Sequence, residues 1–281
     1  MRAAGYDQIN FDGAKPCRYN KAMQRPLLLV HGVPDTPHVW APLVDALKPH
    51  RERIIVPALP GFTTPAPADF PATKDAYAAW LVDEIQALYD TSGPIDIVGH
   101  DWGALLTLRA ASLVPQYIRS WAVSGAVIDP DYSGHKIARI WATPVMGELA
   151  MALSTKTAIE KSLCENGLPA AIARIEAQSW SRSMRKCILK LYRSAYALRF
   201  DGPWASDLSS LPAPGFVLWG ENDPYVDTSF ATRFAEARKV ACHVEPDTGH
   251  WLIAERPDLA AQLLNEVWKT QREPPQTRRL R

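Results

Sequence analysis

Residues Val98 to Ala104 read VGHDWGA, an aspartate flanked by glycines two places before and two places after it. A reactive residue on a very tight strand-to-helix turn needs that spacing, because strand and helix pack closely on both sides of it. Such a turn exposes Asp101 above the sheet and aims the Trp102 N–H, at the helix start, toward the reacting centre. An aspartate is ionised at neutral pH, its ordinary pKa being about 3.9, so it attacks electrophilic carbon without a base. A hydroxyl in the same seat must first lose a proton. Attack by a carboxylate on sp³ carbon leaves an alkyl ester on the protein, which water then has to cleave. Asp101 therefore suits alkylating electrophiles and suits esters and amides poorly.

Three further loops carry matching chemistry. HGVP, His31 to Pro34, follows an apolar run of strand length, and its Val33 N–H can serve with that of Trp102 as an oxyanion hole. LWGENDPYVD places Asp223 just past a later strand, and PDTGHWLIAERP places His250 in a loop before the last helix. Asp101, Asp223 and His250 then occur in the order nucleophile, acid, base. His250, oriented by Asp223, is expected to stay neutral and activate the water that cleaves the ester. Asp129 or Asp131 is an alternative orienting acid. His31 is read as bracing its loop, His100 as facing the packing of strand and helix, and His38 and His243 as surface or structural. Cys17, Cys164, Cys187 and Cys242 form no CxxC pair and read as idle thiols. The histidines and acids show no metal-ligand spacing, so neither a metal nor a cofactor is expected.

These side chains need a scaffold. Pro26–Val30, Arg53–Gly61, Pro94–His100, Arg119–Val127 and Gly215–Gly220 are apolar runs of strand length, apolar on both faces, as a parallel sheet requires. Helices alternate with them: one capped by Thr73 and carrying Tyr77, Trp80, Leu81, Ile85 and Leu88, one from Asp101 to Val114, and a last one from Pro257 to Trp268. Residues 129–211 break the rhythm and read as short helices around Ile137–Trp141, Ala158–Cys164, Ala170–Trp180 and Met184–Leu198. That stretch is expected to be a lid over the sheet edge, giving a core of residues 1–128 and 212–281 and a helical cap of 129–211. A short hairpin is expected near Gly13, and the basic, Pro-containing tail is expected to fray.

With these motifs in place, the chain resembles the α/β-hydrolase superfamily, and within it the epoxide hydrolase and haloalkane dehalogenase branch. HGVP, LPGF at Leu59 to Phe62, VGHDWGA, GENDPYV and TGHW carry the resemblance, which runs from about Pro26 to Trp268. It implies a mostly parallel, eight-stranded sheet flanked by helices, a mobile helical cap, a cis Val33–Pro34 peptide and a site between core and cap. Epoxide hydrolases of this branch protonate the opened ring with cap tyrosines. LKLYRSA, Leu189 to Ala195, resembles the segment that carries one, which nominates Tyr192 over Tyr132 and Tyr196. The second tyrosine of that pair has no clear match. Dehalogenases of the branch hold halide with indoles, for which Trp102 stands in place and Trp141 or Trp180 could serve from the cap. Val33 replaces the asparagine that many of them use. Trp102, Tyr192, Tyr132 and Trp141 are thus the expected substrate contacts. Epoxide opening to a vicinal diol is favoured over halide release. Proteins of this fold that bind a ligand without turnover are the remaining class, and often lack one of the three residues present here.

The chain has 281 residues, 47% hydrophobic, with 31 Lys and Arg against 30 Asp and Glu. That size and composition suit one α/β domain with an insertion. The balanced charge supplies no field to recruit nucleic acid or an anionic membrane. No N-terminal apolar segment stands out, so a cytoplasmic protein is expected, with a small apolar electrophile as its partner and a homodimer left open.

Overall fold

The computed structural model describes residues 25–195 and 198–270. The hairpin expected near Gly13, Cys17, Tyr196 and the basic tail lie outside these residues. Six strands form one sheet: β1 (Leu27–Val30), β2 (Ile54–Ile55), β3 (Ile95–His100), β4 (Ile118–Ser124), β5 (Gly215–Gly220) and β6 (Ala241–Glu245). Their order across the sheet is β2-β1-β3-β4-β5-β6, and every neighbouring pair is parallel. This is the α/β-hydrolase fold with six strands among the described residues, where the resemblance implied eight.

Alternation along each strand feeds two cores. Leu28 and Val30 of β1 and Ile95 and Ile97 of β3 face one apolar layer. Leu27 and Leu29 face the other, together with Val98, Trp40 and Trp251. Helices α2 (Lys74–Ser92) and α3 (Trp102–Leu113) cover the first face. The second is covered by α1 (Ala41–Leu47), then, after α10 (Thr228–Arg238), by α11 (Leu252–Glu255) and α12 (Pro257–Thr270). The Thr73 hydroxyl caps α2 by accepting from the Ala76 N–H at 3.2 Å, as its position in the sequence predicts.

The run Arg53–Gly61 is strand for only two residues. Pro57 and Pro60 have no N–H to give a ladder. The Leu59 N–H between them instead donates to His31 Nε2 at 3.0 Å, while His31 Nδ1 lies 2.9 Å from the Gly32 carbonyl. His31 does brace its loop.

Between β4 and β5 the chain is helical: α4 (Lys136–Ala142), α5 (Met146–Leu153), α6 (Lys156–Glu165), α7 (Ala170–Gln178), α8 (Arg182–Ser194) and α9 (Pro203–Ser206). Four of these match the expected helices. Helices α5 and α9 were not expected: Pro144 and Val145, the latter at φ +68°, interrupt the run before α5, and α9 is a single turn. On α8, Met184, Cys187, Ile188, Leu191 and Tyr192 recur at three- and four-residue spacing and are buried, so Tyr192 is turned inward. No described helix is long and apolar enough to cross a membrane.

Candidate active site

The sheet order reverses direction at β1: the chain steps from β1 out to β2, then returns to β3 on the other side. Ligands of open α/β sheets sit at that switch point, outside the carboxyl ends of the strands. Val30 pairs with Gly99 there, so HGVP and HDWG leave the sheet side by side.

Asp101 sits at φ +52°, ψ −124°, a region that side chains other than glycine rarely occupy, and its N–H is held by the Ser124 carbonyl at 2.9 Å. Both flanking glycines are there for lack of space. A Cβ at Gly99 would lie 2.3 Å from the Gly103 carbonyl oxygen, and one at Gly103 would lie 2.0 Å from that of Val30.

The two carboxylate oxygens of Asp101 have different surroundings. Oδ1 accepts the Val33 N–H at 2.7 Å, beside a cis Val33–Pro34 peptide. Oδ2 faces His250 Nε2 at 3.7 Å. His250 Nδ1 in turn lies 2.7 Å from Asp223 Oδ2, and Asp223 Oδ1 accepts the N–H groups of Tyr225 at 2.8 Å and Val226 at 3.1 Å. Asp129, the alternative acid, is held by the Arg233 guanidinium at 2.8 and 2.7 Å and has no bond to His250, while Asp131 is exposed. His100 is buried beside His250, with ring centroids 4.7 Å apart and no hydrogen-bond partner for either nitrogen among the described residues. It faces packing, as expected.

These contacts set the charges. Burial alone would raise the Asp101 carboxyl, but the facing His250 imidazole, with smaller help from His100 and the Trp102 N–H, holds it below the usual carboxylate range. Burial pulls His250 down, yet the Asp223 and Asp101 carboxylates override it and carry the imidazole up to about 10. At neutral pH the resting site is an imidazolium between two carboxylates. This departs from the expectation of a neutral His250, because spacing could not show that both carboxylates reach the ring.

A cavity of about 250 Å³ opens on Asp101 and His250. Ile137, Ile140, Trp141, Ile159 and Leu163 give it an apolar wall, and no Lys or Arg among the described residues lines it. Of the expected contacts, Tyr192 and Trp141 line this cavity, their rings 5.1 Å apart at a steep angle. Trp102 and Tyr132 do not. They border a separate void of about 20 Å³ next to Asp101. The Tyr132 hydroxyl donates to the Tyr225 carbonyl at 3.0 Å, so it is occupied in bracing a loop. Trp180 Nε1 donates to the Ser154 carbonyl at 3.0 Å and is not free for a halide. Trp102 Nε1 is buried with no hydrogen-bond partner among the described residues. Burial and the Asp101 charge keep the Tyr192 phenol protonated, well above its ordinary range.

His135 and Tyr225 also line the cavity and were missed. Burial lowers His135 to about 4, and its Nδ1 accepts the Ala138 N–H at 3.3 Å at the start of α4. A histidine at the mouth of an insertion carries no sequence signal of its own. Tyr225 stands two residues after Asp223, in a loop the sequence had already marked.

The family model for the alpha/beta hydrolase family matches residues 27–263. The chain is similar to the AB hydrolase superfamily protein YfhM of Bacillus subtilis, 23% identical over 270 residues that cover 87% of this chain and 90% of that one. Among solved structures it resembles the 2-hydroxy-6-oxo-6-phenylhexa-2,4-dienoate hydrolase of a Rhodococcus species at TM-score 0.72 and 20% identity, covering 88% of this chain and 92% of the other. It also resembles an epoxide hydrolase of Vigna radiata at TM-score 0.71 and 18% identity, with 88% and 92% covered. The match over most of the length, with a strained turn and a His–Asp pair at the switch point of a parallel sheet, places the chain in the alpha/beta hydrolase family.

Proposed function

We propose that the protein is a hydrolase with Asp101 as nucleophile, opening epoxides to vicinal diols. One observation carries the reading: Asp101, which lines the cavity, has Oδ1 2.7 Å from the Val33 N–H, the seat of an oxyanion, while Oδ2 faces His250. In the first step Oδ2 bonds to an epoxide carbon and the ring C–O bond breaks, with Tyr192 offering a proton to the released oxygen. Oδ1 becomes the carbonyl oxygen of the ester and is already in the hole. Water then attacks the carbonyl carbon, His250 takes its proton, and the Val33 and Trp102 N–H groups hold the negative oxygen. Loss of one such donor costs about 2.7–4 kcal/mol in the barrier.

Esterification also makes the base. It removes the Asp101 charge, one of the two that hold the proton on His250. The imidazole sheds that proton when a base is needed. Residues 129–211 act in this reading as the cap, contributing Trp141 and Tyr192 to the wall over Asp101.

Halide release is the second reading, favoured by the Trp102 indole next to Asp101, whose Nε1 has no hydrogen-bond acceptor among the described residues. With Trp180 engaged elsewhere, Trp141 is left as the second indole. The deciding experiment incubates His250→Gln with styrene oxide and with a primary alkyl bromide and weighs the peptide carrying Asp101. An adduct from the epoxide, with diol from the wild type, supports the first reading. An adduct and free halide from the bromide alone supports the second. Multiple turnover by His250→Gln with no adduct rejects both.

A further inference from the structure

The insertion presents one tyrosine to the main cavity among the described residues, Tyr192, and a second phenol, Tyr225, lines the same cavity from the core, where a positioned phenol can give a proton to a released oxygen. Resting on the epoxide reading above, we propose that Tyr225, from the loop that carries Asp223, is the second phenol that protonates the ring oxygen.

Its placement is specified from both sides. The Tyr225 N–H donates to Asp223 Oδ1 at 2.8 Å, and its carbonyl accepts the Tyr132 hydroxyl at 3.0 Å. Its ring stands edge-on to His250, centroids 4.9 Å apart, and tilted against His135 at the same separation. So held, Tyr225 lines the cavity together with Asp101, His250 and Tyr192. Its hydroxyl has no hydrogen bond among the described residues, whereas that of Tyr132 is already committed. Burial and the Asp101 charge raise both the Tyr225 and the Tyr192 phenols, so both keep their protons beside the carboxylate. Tyr132 is then a positioning residue, fixing the donor rather than donating.

The step balances. Asp101 Oδ2 forms a bond to carbon, the C–O bond of the ring breaks, and its electron pair goes to the ring oxygen, which takes the phenolic proton. The phenolate is restored by the proton that His250 sheds once Asp101 is esterified. His250 enters the second step as a free base and takes one proton from water. When the tetrahedral intermediate collapses, the ester C–O bond breaks and the departing oxygen takes the other proton of that water to complete the diol. The site returns to the Asp101 carboxylate and the His250 imidazolium.

Single-turnover kinetics with styrene oxide separate the two steps. Tyr225→Phe keeps the ring against His250 and deletes only the hydroxyl. It is expected to slow ester formation about 10²-fold, in the range of a lost general acid, and to leave ester hydrolysis within about twofold. Ester formation within about twofold of wild type overturns the proposal, as does a loss confined to hydrolysis, which would mark a packing role beside His250. Tyr132→Phe, should Tyr225→Phe fail to fold, must slow ester formation by a smaller factor and spare hydrolysis; unchanged ester formation there also counts against the proposal. If wild type and His250→Gln both fail to form an Asp101 ester with styrene oxide, the epoxide reading itself falls and this proposal with it.

Discussion

Replacing Asp101 by Asn removes a charge and little else, and so imitates the neutral ester at that position. The proton affinity of His250 should respond. Asp101 Oδ2 lies 3.7 Å from His250 Nε2. At an effective dielectric of about 20 a unit charge at that distance is worth about 4 kcal/mol, which is about 10³-fold in proton affinity. In the wild type the imidazole holds its proton up to about pH 10, with burial opposing and Asp223 and Asp101 supporting it. Asp101→Asn is expected to release it about 10³-fold more readily, within reach of neutrality. Titration of the labelled imidazole by NMR reads this directly. A His250 that titrates within half a pH unit of wild type in Asp101→Asn would refute the claim that esterification generates the base.

The same coupling has a stability consequence with a fixed sign. The folded-state pKa of His250, about 10, lies above its ordinary value of 6.5. The stabilisation it brings is therefore complete below about pH 6.5 and is lost as pH rises through about 10. Its full size is about 5 kcal/mol, at about 1.4 kcal/mol for each tenfold in affinity. Urea unfolding of wild type against His250→Gln should show a difference that shrinks by that order between pH 6 and pH 10.

Tyr192→Phe should slow ester formation from an epoxide, and unchanged single-turnover rates would remove Tyr192 from the site. Gly103→Ala puts a Cβ about 2.0 Å from the Val30 carbonyl oxygen, so strand and helix must part; soluble protein of wild-type Tm would contradict the packing described. Asp96 is fully buried and accepts from Arg51 at 2.7 Å as well as from Arg119 and Ser120. Asp96→Ala removes the buried carboxylate that these three side chains share and should lower stability by about 3–5 kcal/mol in urea unfolding.

The alternation of apolar runs with helices was enough to read a parallel α/β sheet, and the glycine spacing around Asp101 was enough to read a strained turn, because both are local consequences of side-chain period and backbone sterics. The order Asp101, Asp223, His250 was legible for the same reason: each follows a strand or precedes a helix that the chain itself announces. The sequence favoured Asp223 over Asp129 and Asp131 by its place after a late strand, but the contact itself, 2.7 Å to His250 with Asp129 held instead by the Arg233 guanidinium, needed the folded chain. Nor could the sequence charge His250, since that needs two carboxylates, 27 and 149 positions away, brought to one ring. The cavity wall was least legible of all. Tyr132 and Trp180 spend their polar atoms on backbone carbonyls while Tyr225 and His135 line the cavity, and that sorting depends on how short helices pack across the sheet, for which no period in the chain gives a signal.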